Sequence, residues 1–221
     1  TLTSDTSLTA LNISGSDKLT VGTLTATKLA TIDASTATGD LSLPGAASLA
    51  QTITMGSGND TLVMAGNLTA ADVIDMGGNS VASAATGALG LDTITTTGNL
   101  GSTVASMAPQ ISNAEVVTIT GTANFIDGSS LTNVGLLAFA NTSGATTLTN
   151  MPAGTAIGLG VAAAESTHAY TFALADATGT DDALSLVYGA TVNTGTSNTI
   201  VAAGIETLNV KAPALVAGNA T

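Results

Sequence analysis

Apolar and polar residues alternate along most of the chain. In Leu8-Thr-Ala-Leu-Asn-Ile13, Glu115-Val-Val-Thr-Ile119 and Glu206-Thr-Leu-Asn-Val210, apolar residues recur two apart with Thr or Asn between them. That is the period of a strand with one buried face. A second phrase follows at a distance, as Ile32-Asp-Ala-Ser35 and again as Ile126-Asp-Gly-Ser129. Between the copies run further short segments of the same kind: Leu19-Thr-Val21, Leu41-Ser-Leu43, Thr93-Ile-Thr95, Thr147-Leu-Thr149, Tyr170-Thr-Phe-Ala-Leu174, Leu184-Ser-Leu-Val187 and Thr199-Ile-Val201. Gly, Asn, Asp and Ser separate them, as turns require. Only Ala70 to Met76 and Val81 to Gly90 read as weakly helical or loop-like.

Many short strands at regular spacing predict an all-β chain. One arrangement is a parallel β-solenoid, β-roll-like, with a thin core of Val, Leu, Ile and Ala. At about 20 to 25 residues per coil it would hold roughly nine or ten coils. The other is a set of tandem β-sandwich domains, which normally bury a Trp or Tyr anchor. Composition favours the solenoid: aromatics make up 2% of the 221 residues, with no Trp, while 44% are hydrophobic. The expected organisation is β-strand repeats over 1–52, a calcium-binding turn region over 53–97 with an insertion at 79–89, and β-strand repeats over 98–221. Together these would form one continuous solenoid. Thr1 and Thr221 read as cuts through continuing repeat sequence, so a fragment of a larger chain is expected.

Charge narrows the partners. Three lysines and no arginine stand against fifteen acidic residues, a formal net charge of −12. Phosphate recognition relies on Lys and Arg, so neither nucleic acid nor insertion into an anionic membrane is expected. The absence of cysteine removes disulfides, thiolate metal sites and thiol nucleophiles.

One motif carries chemistry. Ile53-Thr-Met-Gly56-Ser-Gly58-Asn-Asp60-Thr-Leu62 follows the calcium-binding nonapeptide pattern G-G-x-G-x-D-x-U-x, except that Met55 replaces the first glycine. Glycines permit the tight turn and offer carbonyl oxygens, and the aspartate adds a hard carboxylate suited to Ca²⁺. A broken copy follows as Asp72-Val-Ile-Asp75-Met-Gly77-Gly78 and Gly90-Leu-Asp92-Thr-Ile94. The expected ligands are Asp60, Asp75 and Asp92, then Asp72, with the carbonyls of Gly56, Gly58 and Gly77. The competing reading of the same residues is a β-turn with solvated carboxylates.

The run Ile53 to Thr97, followed by Asn113-Ala-Glu-Val-Val-Thr-Ile-Thr-Gly121, Asn141-Thr-Ser-Gly-Ala-Thr-Thr147, Ala175-Asp-Ala-Thr-Gly179 and Gly204-Ile-Glu-Thr-Leu-Asn-Val210, resembles the β-strand repeat region of bacterial surface-layer (S-layer) proteins. Related repeats-in-toxin (RTX) proteins share that style. The resemblance implies type I secretion, location at the bacterial cell surface, calcium-dependent folding outside the cell and assembly with copies of itself into a lattice, with cell-surface polysaccharide as a further partner. A segment of a large secreted adhesin is the alternative, and the β-helical part of a carbohydrate-active enzyme a third.

Catalysis is not expected. The single histidine, His168, lies beside Tyr170 in a strand phrase, whereas a Ser-His-Asp arrangement needs it in a pocket with a nucleophile. Of the three glutamates, Glu115 and Glu206 occupy equivalent positions in a repeated phrase. That favours a structural role, such as accepting hydrogen bonds from backbone amides at a turn.

Overall fold

Ile32, Ile53 and Ile74 stand side by side in three parallel strands, each fully inside the molecule. This column displays the building rule of the chain: each repeat lays its apolar positions directly on those of the repeat before. The computed structural model describes residues 2–3, 7–46, 50–78, 91–97, 109–121, 125–140, 144–159, 168–189 and 199–211.

The isoleucine column belongs to a six-stranded sheet of β2 (Ala10–Gly15), β5 (Thr31–Ala37), β7 (Thr52–Thr54), β9 (Val73–Asp75), β11 (Gln110–Ser112) and β14 (Leu131–Thr132). A nine-stranded sheet forms the next side. Its strands are β3 (Leu19–Thr20), β6 (Leu41–Pro44), β8 (Thr61–Ala65), β10 (Thr93–Thr96), β12 (Val116–Ile119), β15 (Leu136–Phe139), β17 (Ala156–Leu159), β19 (Ala183–Tyr188) and β21 (Thr207–Lys211). Two further sheets complete the set: the pair β1 (Leu2–Thr3) with β4 (Leu24–Thr25), and the four strands β13 (Phe125–Asp127), β16 (Gly144–Met151), β18 (His168–Leu174) and β20 (Thr199–Ala202). Neighbouring strands run parallel throughout, for example β5 with β7, β10 with β12 and β18 with β20. The molecule is a β-solenoid, not a set of sandwiches.

The strands of the nine-stranded sheet mark nine coils, where nine or ten were expected, and the coils differ in length: equivalent residues 51 and 72 lie 21 apart, but 60 and 92 lie 32 apart. One expectation needs correction. The segment Ala70 to Met76 holds strand β9, since Ile74 continues the column of Ile32 and Ile53 and tertiary pairing overrides a weak local preference. Val81 to Gly90 lies outside the described residues.

A second column fills the core behind the nine-stranded sheet: Leu62, Ile94, Val117, Leu137, Ile157 and Leu186, in register and buried. Each such side chain contributes about 1.5–3 kcal/mol of burial. Sulfur fills the gaps that glycines leave. A Cβ on Gly45 would lie 2.4 Å from Met64 Sδ, and one on Gly128 2.9 Å from Met151 Sδ. The scarce aromatics gather in the later coils, where Tyr170 lies between Phe139 at 5.3 Å and Phe172 at 6.1 Å between ring centroids.

Candidate functional site: the carboxylate ladder

Along the edge where chain enters the nine-stranded sheet, the residue before the strand is acidic in six described coils, and three of these acids stand in consecutive rungs: Asp60 before β8, Asp92 before β10 and Glu115 before β12. All three are fully buried. Each side chain reaches back one coil to a backbone amide. The Leu41 N–H donates to Asp60 Oδ1 at 2.8 Å, the Asp60 N–H to Asp92 Oδ1 at 2.6 Å, and the Asp92 N–H to Glu115 Oε2 at 2.8 Å. Asp60 Oδ2 also accepts from the Gly56 N–H at 3.2 Å. Glu115 Oε1 is buried and, among the described residues, accepts no hydrogen bond.

The same device recurs elsewhere. On the six-stranded sheet, Asp72 accepts from the Gln51 N–H at 2.7 Å and the Thr69 N–H at 2.6 Å. Gln51 in turn accepts from the Ala46 N–H at 3.0 Å and donates to the Leu29 carbonyl at 3.0 Å. Farther along, the Asp182 N–H donates to the exposed Glu206 at 3.0 Å. The amide-accepting role expected of Glu115 and Glu206 is thus what the structure shows.

Asp75 belongs to a different row. Its Oδ1 accepts from the Gly77 N–H at 3.0 Å and from Asn113 Nδ2 at 2.8 Å, and Asn133 Nδ2 donates to Asn113 Oδ1 at 2.8 Å. Asn113 and Asn133 both have φ of 56°, a left-handed corner that asparagine tolerates better than most residues.

The glycines of the nonapeptide have a steric explanation. A Cβ on Gly56 would lie 2.0 Å from the Ala37 carbonyl oxygen, one on Gly58 2.5 Å from that of Gly39, and one on Gly77 1.8 Å from that of Gly56. Coils touch backbone to backbone here. The Gly56 carbonyl accepts from the Gly78 N–H at 3.1 Å.

Electrostatics separates the buried from the exposed acids. Burial pushes the Asp60 carboxyl up from its ordinary value; the Leu41 and Gly56 amides pull the other way, and the nearby Asp40 charge adds to the rise. At Asp127 burial also pushes upward, but the Ser129 hydroxyl and N–H and the Asn150 amide outweigh it and hold the carboxyl low.

Of the expected calcium ligands, the fold brings Asp60 and Asp92 together in adjacent coils and sets Asp72 and Asp75 on the other sheet. Among the described residues no three Asp, Glu or His side chains converge on one point. Both oxygens of Asp60 and of Asp72 face amide donors. Sequence reasoning missed Gln51 as part of the machinery; its signal was position, 21 residues before Asp72.

Among the described residues no helix is long and apolar enough to cross a membrane. No protein family, curated protein or solved structure matches the chain.

Proposed function

We propose that the chain is a structural module of an exported bacterial surface layer that assembles with copies of itself, and that it works as a scaffold, not a catalyst. The observation that carries this reading is where the buried acids point. Asp60, Asp72 and Glu115 reach into the backbone of the preceding coil, so the most reactive buried groups are engaged in joining one coil to the next. The solenoid itself is compatible with many roles and does not single this one out.

Calcium enters the reading at the step between Asp92 and Glu115, not at the Asp60 turn. There a buried carboxylate oxygen lacks an amide donor, whereas Asp60 has one for each oxygen. Cation binding at a site that exists only in the folded chain would add directly to folding stability.

Electron microscopy of the chain, with calcium and with chelator, tests the reading. Ordered two-dimensional arrays are the expected result. Dispersed particles that bind polysaccharide or cells would replace it with the adhesin reading, and turnover of a polysaccharide would replace it with the enzyme.

A further inference from the structure

Midway along the rod, where the six-stranded sheet meets the turn between β13 and β14, the surface dips into a groove of about 140 Å³. Its floor is the outer face of β9, β11 and β14, which presents Val73, Gln110, Ser112 and Thr132. Strand alternation turns these side chains outward, because Ile74, Ile111 and Leu131 beside them fill the core. The wall is the short 3₁₀ turn Gly128–Ser130 that leads into β14. That wall is held in place. Asp127 Oδ1 accepts from the Ser129 N–H at 3.0 Å and from Asn150 Nδ2 at 3.1 Å, and a Cβ on Gly128 would lie 2.7 Å from the Asn150 carbonyl oxygen, so the turn is clamped onto the following coil.

The serine hydroxyls of the groove are already engaged as donors. Ser112 donates to the Ile74 carbonyl at 3.3 Å, Ser130 to the Asp127 carbonyl at 3.2 Å, and the Ser129 hydroxyl to the Asp127 carboxylate. A hydroxyl has one hydrogen to give and two lone pairs, so each of these oxygens is left as an oriented acceptor. Gln110, exposed, adds an amide that both accepts and donates. Val73, 45% exposed, supplies an apolar side. In a chain of net charge −12, none of the residues lining this groove is charged.

We infer that the groove holds one ring of a neutral sugar chain. Fixed acceptors select a ligand rich in O–H donors, the lack of charge selects a neutral one, and Val73 offers a surface to the C–H groups of the ring. Pockets for drug-sized ligands measure about 300–1,000 Å³, so a groove of this size takes a single ring and leaves the rest of the sugar chain in solvent. The inference goes beyond the scaffold role, which needs no ligand here.

Titration of the folded chain with the neutral trisaccharides maltotriose, cellotriose and chitotriose, followed by saturation-transfer NMR and calorimetry, tests it. At least one of them should bind, and trigalacturonate, an anionic counterpart, should not. Thr132→Val removes an acceptor with little change of shape, and Gln110→Ala removes the amide; both positions are exposed, and circular dichroism checks that the fold is kept. Each should weaken binding roughly fivefold, the worth of a hydrogen bond. Thr31→Val, on the same sheet but outside the groove, should leave binding unchanged. No binding by any of the three sugars, preference for trigalacturonate, or equal binding by wild type, Thr132→Val and Gln110→Ala would overturn the inference. Ordered arrays without sugar binding would overturn it and leave the surface-layer reading standing. Sugar binding without arrays would support it and turn the function toward the adhesin.

Discussion

The Asp60 amide donates to Asp92 Oδ1 at 2.6 Å across a sequence separation of 32 residues. Both residues are fully buried, so each depends on its neighbour in the next coil for a hydrogen bond that water cannot replace. The ladder is therefore a chain of dependencies, and its members can be removed one at a time.

Asp92→Ala leaves the buried Asp60 N–H without its acceptor and should cost about 1–3 kcal/mol. Asp92→Asn keeps an acceptor oxygen and should cost less. Urea unfolding measures both, and equal losses would show that the side chain is not acting as an amide acceptor.

The contribution of Asp60 to stability should vary with pH in a sense opposite to ordinary acid denaturation. Since burial raises the Asp60 carboxyl above 3.8, its contribution is fully present below that value and is lost as pH rises through the folded value. Asp127, held below 3.8, contributes above that value and loses its contribution as pH falls through its own lowered value. Asp33 and Asp176, held low by Ser35 and Thr178, act in the same sense as Asp127, but both are solvent-exposed and screened. The expected optimum lies on the acid side of neutrality. Melting curves of wild type and Asp60→Asn check this: wild type should gain on the variant as pH falls toward 4, and a constant gap would remove Asp60 from the account.

Gly77→Ala sets a Cβ 1.8 Å from the Gly56 carbonyl oxygen at a φ of +96° and should cost at least about 1–3 kcal/mol. Gly66→Ala is the control. Its nearest neighbour would be Thr97 Oγ1 at 3.6 Å, an ordinary contact, so a change within about 0.5 kcal/mol is expected. Equal losses at the two sites would mean that close coil approach is not what these glycines serve.

Calcium should raise the melting temperature and chelator should lower it. Glu115→Gln should abolish that response, whereas Asp60→Asn should retain it. A melt that chelator leaves unchanged would take the ion out of the proposal.

The strands and their stacking were legible in the sequence because a period of two, interrupted by Gly, Asn and Asp, has few other physical solutions. Scarcity of aromatics separated solenoid from sandwich, although Phe139, Tyr170 and Phe172 do form a compact cluster in the later coils. The length of each coil was not legible, because insertions between strands carry no periodic signal. At the candidate site, the residue types were readable but their targets were not. Gly-x-Gly-x-Asp suits an ion and suits a tight coil contact with an amide acceptor; which one holds depends on what lies one coil away, and Leu41 and Ala37 are invisible in a local motif. Glu115 was readable through its repeated phrase, which no nonapeptide pattern includes.

The ladder also has a direction. Asp60, Asp72, Asp92, Glu115 and Glu206 all reach toward the earlier coil, so each coil they touch is sealed by the one that follows it in the chain. Folding that starts near the amino end leaves each newest coil with open amides until its successor arrives, whereas folding from the carboxyl end adds coils onto acceptors already waiting. The two routes are therefore not mirror images, and removing coils from one end of the rod should loosen it differently from removing the same number at the other.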